Sequence, residues 1–294
     1  MKDYPNITTT MFPPADTKSA IATSNLVREK FLFLFPGEEP KLLGPIFQDV
    51  ERLFNGSHPD YCPIDLRYHD LEHTLQATVC LARIFEGCQN SSASIQLTSR
   101  HFELGMVGVL LHDTGYLKLR SDRQGTGAKY TYCHVLRSCA FAASYLPTLG
   151  VNETELSGVL GAISCTGPTK NISRLHFRDP TERFIGHALA SADYLGQMAA
   201  ADYPDELEVL YREFLESDNF VQVPESKRAF QSARDLIQRT PRFWSQVVRP
   251  KLENDFSGVY HFLATPYPNG TNAYVQAVER NIALIGRRIV ESGA

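Results

Sequence analysis

The sequence predicts an all-α protein, and three observations carry that prediction. Apolar residues recur three and four apart along most of the chain, turn-forming residues separate those stretches, and no long alternating run of β-branched residues occurs. Leu71, Leu75, Val79 and Ala82 form one such helical face. Thr98 or Ser99 stands where a cap would start the segment running to His112. Further helices are expected over 134–148, 154–164, 182–200, 205–217, 226–239 and 273–290, divided by Gly, Pro, Asn and Asp clusters. The first stretch, with Pro5, Pro13 and Pro14, has neither period, so residues 1–24 are expected to form an arm. Residues 25–294 then make a single helical domain, with a core over about 45–200 and a C-terminal cap over about 201–294. The loop-like interval 218–225 could divide a catalytic core from a C-terminal cap without making a second domain.

At 294 residues and 43% hydrophobic content the chain can bury one large core or two small ones, and one is expected. The formal charge of −4, from 29 basic and 33 acidic residues, provides no overall basic surface, so nucleic acid is not an expected partner. The apolar runs are far shorter than the roughly 20 residues of a spanning helix, so no membrane is expected. Six cysteines without a CxxC pair, and no apolar leader before a small-residue cleavage site, point to a reduced, cytoplasmic setting.

The chemistry concentrates in three segments. In Tyr68-His69-Asp70-Leu71-Glu72-His73-Thr74, His69 and His73 would share one face if the segment opens a helix, and could serve one reaction centre. In Leu110-Leu111-His112-Asp113-Thr114-Gly115, an apolar helix ends in an imidazole and a carboxylate. Asp113 would face the unfavourable end of the helix dipole and, if buried, needs a cation or a donor. Gly115 could then be a left-handed helix stop. In Ala188-Leu189-Ala190-Ser191-Ala192-Asp193-Tyr194, a single Asp stands inside an apolar, small-residue helix with no Lys or Arg in the stretch to pair with it. A ligand set from elsewhere in the fold, or a distant Arg, has to neutralise it.

The ordered set His73, His112-Asp113, Asp193 resembles the H…HD…D signature of the HD superfamily of metal-dependent phosphohydrolases. The likeness spans roughly residues 45–200, and YHDLEHT is similar to the YHNxxHA element of class I cyclic nucleotide phosphodiesterases, with Asp70 in place of Asn. LLHDTGYL departs from the HDxDHxG pattern of those enzymes and is closer to bacterial HD hydrolases. The resemblance implies an HD-type helical bundle in which His73, His112, Asp113 and Asp193 bind a metal and His69 donates a proton. Some HD subfamilies also place a metal- or phosphate-binding histidine after the HD pair, where His134 stands.

Two imidazoles and two carboxylates make a mixed nitrogen and oxygen site suited to Zn, Mn, Fe or Mg, one or two per site. Such a metal keeps positions open for water, which it acidifies, and Asp113 has a second oxygen that could bridge to a second ion. The expected reaction is hydrolysis of a phosphoester, with a small phosphorylated substrate, most readily a nucleotide or cyclic nucleotide. His134, Lys118 and Arg137 are candidate substrate or second-metal contacts. A non-catalytic metal- or nucleotide-binding module is the alternative. An oxygenase on a di-iron site would need further histidines, and Ser164-Cys165-Thr166 has none. The histidines at 58, 101, 176, 187 and 261 are expected to be structural, Phe243 and Trp244 are candidates for a pocket wall or for core, and Gln246 is not expected to read a base.

Overall fold

The computed structural model describes residues 15–91, 95–168 and 170–293. Ten α-helices occupy most of the described residues, with one antiparallel pairing of two-residue strands, Ala264–Thr265 with Thr271–Asn272, so the fold is all-α as the periodicity predicts. None of these helices is long and apolar enough to cross a membrane, and the six cysteines are all free.

Helix α1 (Ala20–Leu34) begins five residues earlier than the expected arm allows. Ser19 caps it by accepting from the Ala22 amide at 3.1 Å, and Ala20, Thr23, Val27 and Phe31 are buried. The remainder of the proposed arm, residues 1–14, lies outside the described residues. Helix α2 (Leu43–Phe54) packs on α1. Helix α3 (Leu71–Gln89) starts at Asp70, whose carboxylate accepts from the His73 amide at 3.0 Å. Helix α4 (Ser99–Leu111) is capped by Thr98, and the His101 ring closes the reciprocal half of that capping box.

Helices α5 (His134–Tyr145), α6 (Glu153–Ser164), α7 (Pro180–Met198) and α8 (Tyr203–Phe220) match the expected segments to within a few residues. Helix α9 differs. It was expected over 226–239 but spans Ala233–Phe243, because Ser232 supplies the cap for the Asp235 amide. Beyond it the chain continues through wide turns of i to i+5 type at Trp244–Val248 and Lys251–Asp255, which follow Pro241 and Pro250, two residues that have no amide hydrogen to donate. Helix α10 (Ala273–Gly293) packs back on α7, α8 and α9. The expected loop at 218–225 starts only after Phe220, where α8 ends. One continuous set of buried apolar side chains runs from Ala20 to Ile285.

The most extensive helix contact is between α3 and α7. Its closeness follows from small residues: Ala188, Ala190, Ser191, Ala192 and Gly196 on α7, and Thr74, Ala77 and Thr78 on α3, are all buried. At Gly196 a β-carbon would stand 2.8 Å from the Ala77 nitrogen and 2.9 Å from its α-carbon, both backbone atoms that cannot swing aside. Gly196→Ala should therefore push α3 and α7 apart and destabilise the chain by about 1–3 kcal/mol, the usual cost of overpacking. Urea unfolding of that variant beside Gly286→Ala, where the β-carbon meets nothing within 4 Å, measures the difference.

Candidate metal centre

The close α3–α7 approach sets His73, in the first turn of α3, against Asp193 of α7. His112 closes α4 and Asp113 follows it, so both project from the end of a helix that is buried from Phe102 to Leu111. His73 Nε2 lies 3.2 Å from Asp113 Oδ2 and 3.3 Å from Asp193 Oδ1. His112 Nε2 lies 3.3 and 3.5 Å from the same two oxygens. The four groups form a closed ring in which imidazole and carboxylate alternate. Edges of this length belong to donors about 2.0–2.4 Å from a common centre, the range of Zn–N, Zn–O and hard-cation bonds.

The contacts themselves are poor hydrogen bonds. His112 Nδ1 donates to the Val109 carbonyl at 2.7 Å, so Nε2 is the atom turned to the carboxylates, and it offers a lone pair to a cation once its own proton is given up. His112 Nε2 and Asp113 Oδ2 are buried without a hydrogen-bond partner. Buried orphans of this kind are costly unless something else satisfies them, and a cation satisfies all four together. His73, His112 and Asp193 could hold a metal ion by donor geometry, and Asp113 Oδ2 adds a fourth donor atom.

Electrostatics inside the ring are tightly linked. Burial opposes charge on every member, yet mutual attraction outweighs it. Burial alone would lower His73, but Asp113 and Asp193 raise it to about 9. His112 is likewise raised well above its ordinary value against the pull of burial, while Asp113 and Asp193 are held far below the usual carboxylate range despite theirs.

His69 does not share a helix face with His73, because Asp70 is the cap and α3 starts at Leu71. Its position comes instead from α8. His69 Nδ1 donates to Glu213 Oε2 at 2.6 Å, and the amides of Arg67 and Tyr68 donate to Glu213 Oε1 at 3.2 and 2.8 Å. The ring stands 5.7 Å from that of His73, centroid to centroid, and stacks on Tyr116 at 4.6 Å. Glu213 was not anticipated. Its signal is a glutamate on the buried stripe of α8, three residues after Leu210 and among buried Leu207 and Ser217.

His134 does reach the site. It stacks on the other side of the contact with Tyr116, at 4.5 Å, and its Nδ1 donates to the Thr131 carbonyl at 2.7 Å. Burial lowers its pKa, so the ring is neutral and the Nε2 lone pair faces Asp113 Oδ1 across 3.7 Å. Two acceptors facing each other require a cation or a bridging water between them. Gly115 is not a left-handed stop. It is glycine because a β-carbon there would fall 1.9 Å from the His134 carbonyl oxygen, so it lets the start of α5 seat against the HD segment.

Lys118 and Arg137 are corrections to the sequence reading. Lys118 pairs with Asp65 at 2.7 Å, and Arg137 donates to the Gly115 and Leu117 carbonyls at 2.6 and 2.8 Å while lying 3.6 Å over the Tyr130 ring. Both cations hold the 115–130 loop, and neither lines the cavity beside the metal centre. His187, six residues before Asp193, is an uncharged core group, lowered to about 4 by burial and by Arg183. A scan against protein-family models finds no match to this chain, and a search of curated proteins finds none.

Removal of any ring member should empty the centre. His73→Ala, His112→Ala and Asp193→Ala are each expected to purify with little metal, and elemental analysis showing full occupancy in all three would misplace the site. After chelation, the ion pairs of His73 contribute stability below the unfolded histidine pKa of about 6.5 that is lost as pH rises through about 9. Chelated protein should therefore weaken by on the order of 3 kcal/mol across that window. Zinc affinity should rise over the same window, because His73 must give up its proton; calorimetry at pH 6.5 and 9 reads both effects.

Proposed function

We propose that this chain is a metal-dependent phosphohydrolase. The observation that carries the reading is the pairing of His69 with Glu213 beside the metal ring, at a position that metal binding alone does not require. His73, His112, Asp113 and Asp193 would hold a divalent ion such as Zn, Mn, Fe or Mg. Bound there, the ion would acidify water to supply a nucleophile near neutral pH and would neutralise phosphate oxygens.

The chain's own groups divide the remaining work. Glu213 holds the His69 Nδ1 proton, so when the ring is the imidazolium its Nε2 proton is the one free for delivery to a leaving alkoxide, and the ring is left neutral with Nδ1–H still on Glu213. Tyr116 packs against His69 and His134 and keeps both rings from rotating. His134, neutral and directed at the second Asp113 oxygen, supports a place for a second cation. The His69–Glu213 pair, beside the ring but outside it, is what favours turnover over a module that only binds metal.

His69→Ala should keep its metal and its fold while kcat falls roughly a hundredfold or more for phosphodiesters with alkoxide leaving groups. The deficit should shrink for nitrophenolate, which leaves without a proton. Glu213→Gln retains an acceptor and should cost less, about tenfold in kcat with little change in KM. Full activity of His69→Ala toward an alkyl phosphodiester would remove His69 from the chemistry, and metal-loaded protein that turns over no phosphoester would leave the binding module.

A further inference from the structure

We infer that the cavity beside the metal centre takes a phosphoester whose alcohol portion is an extended apolar group, an amphiphile in place of a nucleotide. The inference rests on the phosphoester reading for its head group alone. The cavity measures about 1170 Å³, above the 300–1,000 Å³ of ordinary small-molecule sites. His69, His73, Asp113, His134 and Asp193, which lie close together, all meet it.

Much of the rest of the lining is apolar: Leu160, Leu207, Leu210, Phe214, Phe230 and Leu236 come from α6, α8, α9 and the loop before α9. Several of the hydroxyls set among them are already engaged. Thr131, Ser164, Thr166 and Thr240 donate to the carbonyls of Ala128, Leu160, Ile163 and Leu236 at 2.7–2.9 Å. Tyr68 donates its hydroxyl proton to Gln197, Gln197 donates to the Asp193 carbonyl at 3.2 Å, and Tyr132 donates to Asp218 at 2.5 Å. Ser217 Oγ is buried without a partner, and the Tyr194 and Tyr203 hydroxyls and the Gln246 amide also line the cavity. An extended apolar group is held by the leucine and phenylalanine wall through area removed from water and needs none of these polar groups.

The cavity's cations are few and lie at exposed positions. Three cations line the cavity, Lys170, Arg239 and Arg242, all exposed, and Arg239 is paired with Asp235 at 2.8 Å. The mouth carries an apolar signature of its own. Leu136 is 73% exposed, Tyr132 61%, Phe243 39% and Val247 38%, and all four line the cavity. Large apolar side chains left in water around a deep apolar cavity mark a binding surface for an apolar body.

The test is calorimetry on the zinc-loaded full chain with butyl-, hexyl- and decylphosphonate, each below its micelle concentration, and with adenosine 5′-monophosphate. The head group is constant along the series, so chain length isolates the wall. Affinity should rise at least about tenfold from butyl to decyl, with roughly fourfold per methylene as the ceiling. Leu136→Glu and Val247→Glu, at exposed positions, should remove most of that gain, weakening decylphosphonate more than butylphosphonate. Equal affinity along the series, tighter binding of adenosine 5′-monophosphate than of decylphosphonate, or a length dependence indifferent to both variants overturns the inference. Length-dependent binding without turnover of any phosphoester upholds it and overturns the phosphohydrolase reading. Turnover without length dependence does the reverse.

Discussion

Two carboxylates and two imidazoles are buried together where three helices meet, and the bundle is organised around the need to neutralise them. An ion taken out of water costs several kcal/mol even after relaxation. Asp113 and Asp193 are compensated only because both imidazoles stand within 3.5 Å of both of them. That distance requires α3 and α7 to approach backbone to backbone, which explains the run of Ala, Ser and Gly on α7. A leucine at 192 or 196 would fill the interface but separate His73 from Asp193. The small residues are therefore electrostatic in purpose as much as steric.

A second constraint couples this ring to the C-terminal helices. Glu213 of α8 gathers the Arg67 and Tyr68 amides and the His69 ring, and Glu216, one turn on, accepts from the amide and hydroxyl of Thr126. Two segments distant in sequence are thus tied to one acidic face of α8. The residues that could hold a metal belong to α3, α7 and the end of α4, but the neighbouring imidazole depends on a helix more than a hundred residues downstream, 213 against 69. The region that sequence periodicity set apart as a cap is in this way part of the site.

What could be read from the sequence follows from how local each signal is. Asp193 was legible because a lone carboxylate in an Ala-rich helix contradicts its surroundings, and Asp113 because it ends an apolar helix with a charge. The all-α class was legible from periodicity over many turns. His69 was placed near His73 for an incorrect reason, since the spacing of four suggested a shared helix face and Asp70 interrupts that helix as its cap. Glu213 was not found because α8 carries several acidic residues, and only tertiary contact distinguishes the buried one from those in water. Lys118 and Arg137 failed in the opposite sense: cations close to the motif in sequence were taken by Asp65 and by loop carbonyls. The start of α9 was misplaced because Ser232 is a weak local signal beside the helix-forming residues before it.

The same division between local and tertiary signals bears on what the site binds. The motif residues describe only the charged pole, which any phosphorylated substrate would satisfy, so they carry no information about the rest of the ligand. The apolar part of the lining is assembled from α6, α8, α9 and the loop before α9, and several hydroxyls beside it turn away to their own helix carbonyls. A wall meant to read hydrogen bonds would leave those protons free. Selectivity for an apolar group would then come from area removed from water and from the cost of stripping water from a polar competitor, both set by residues outside the motif.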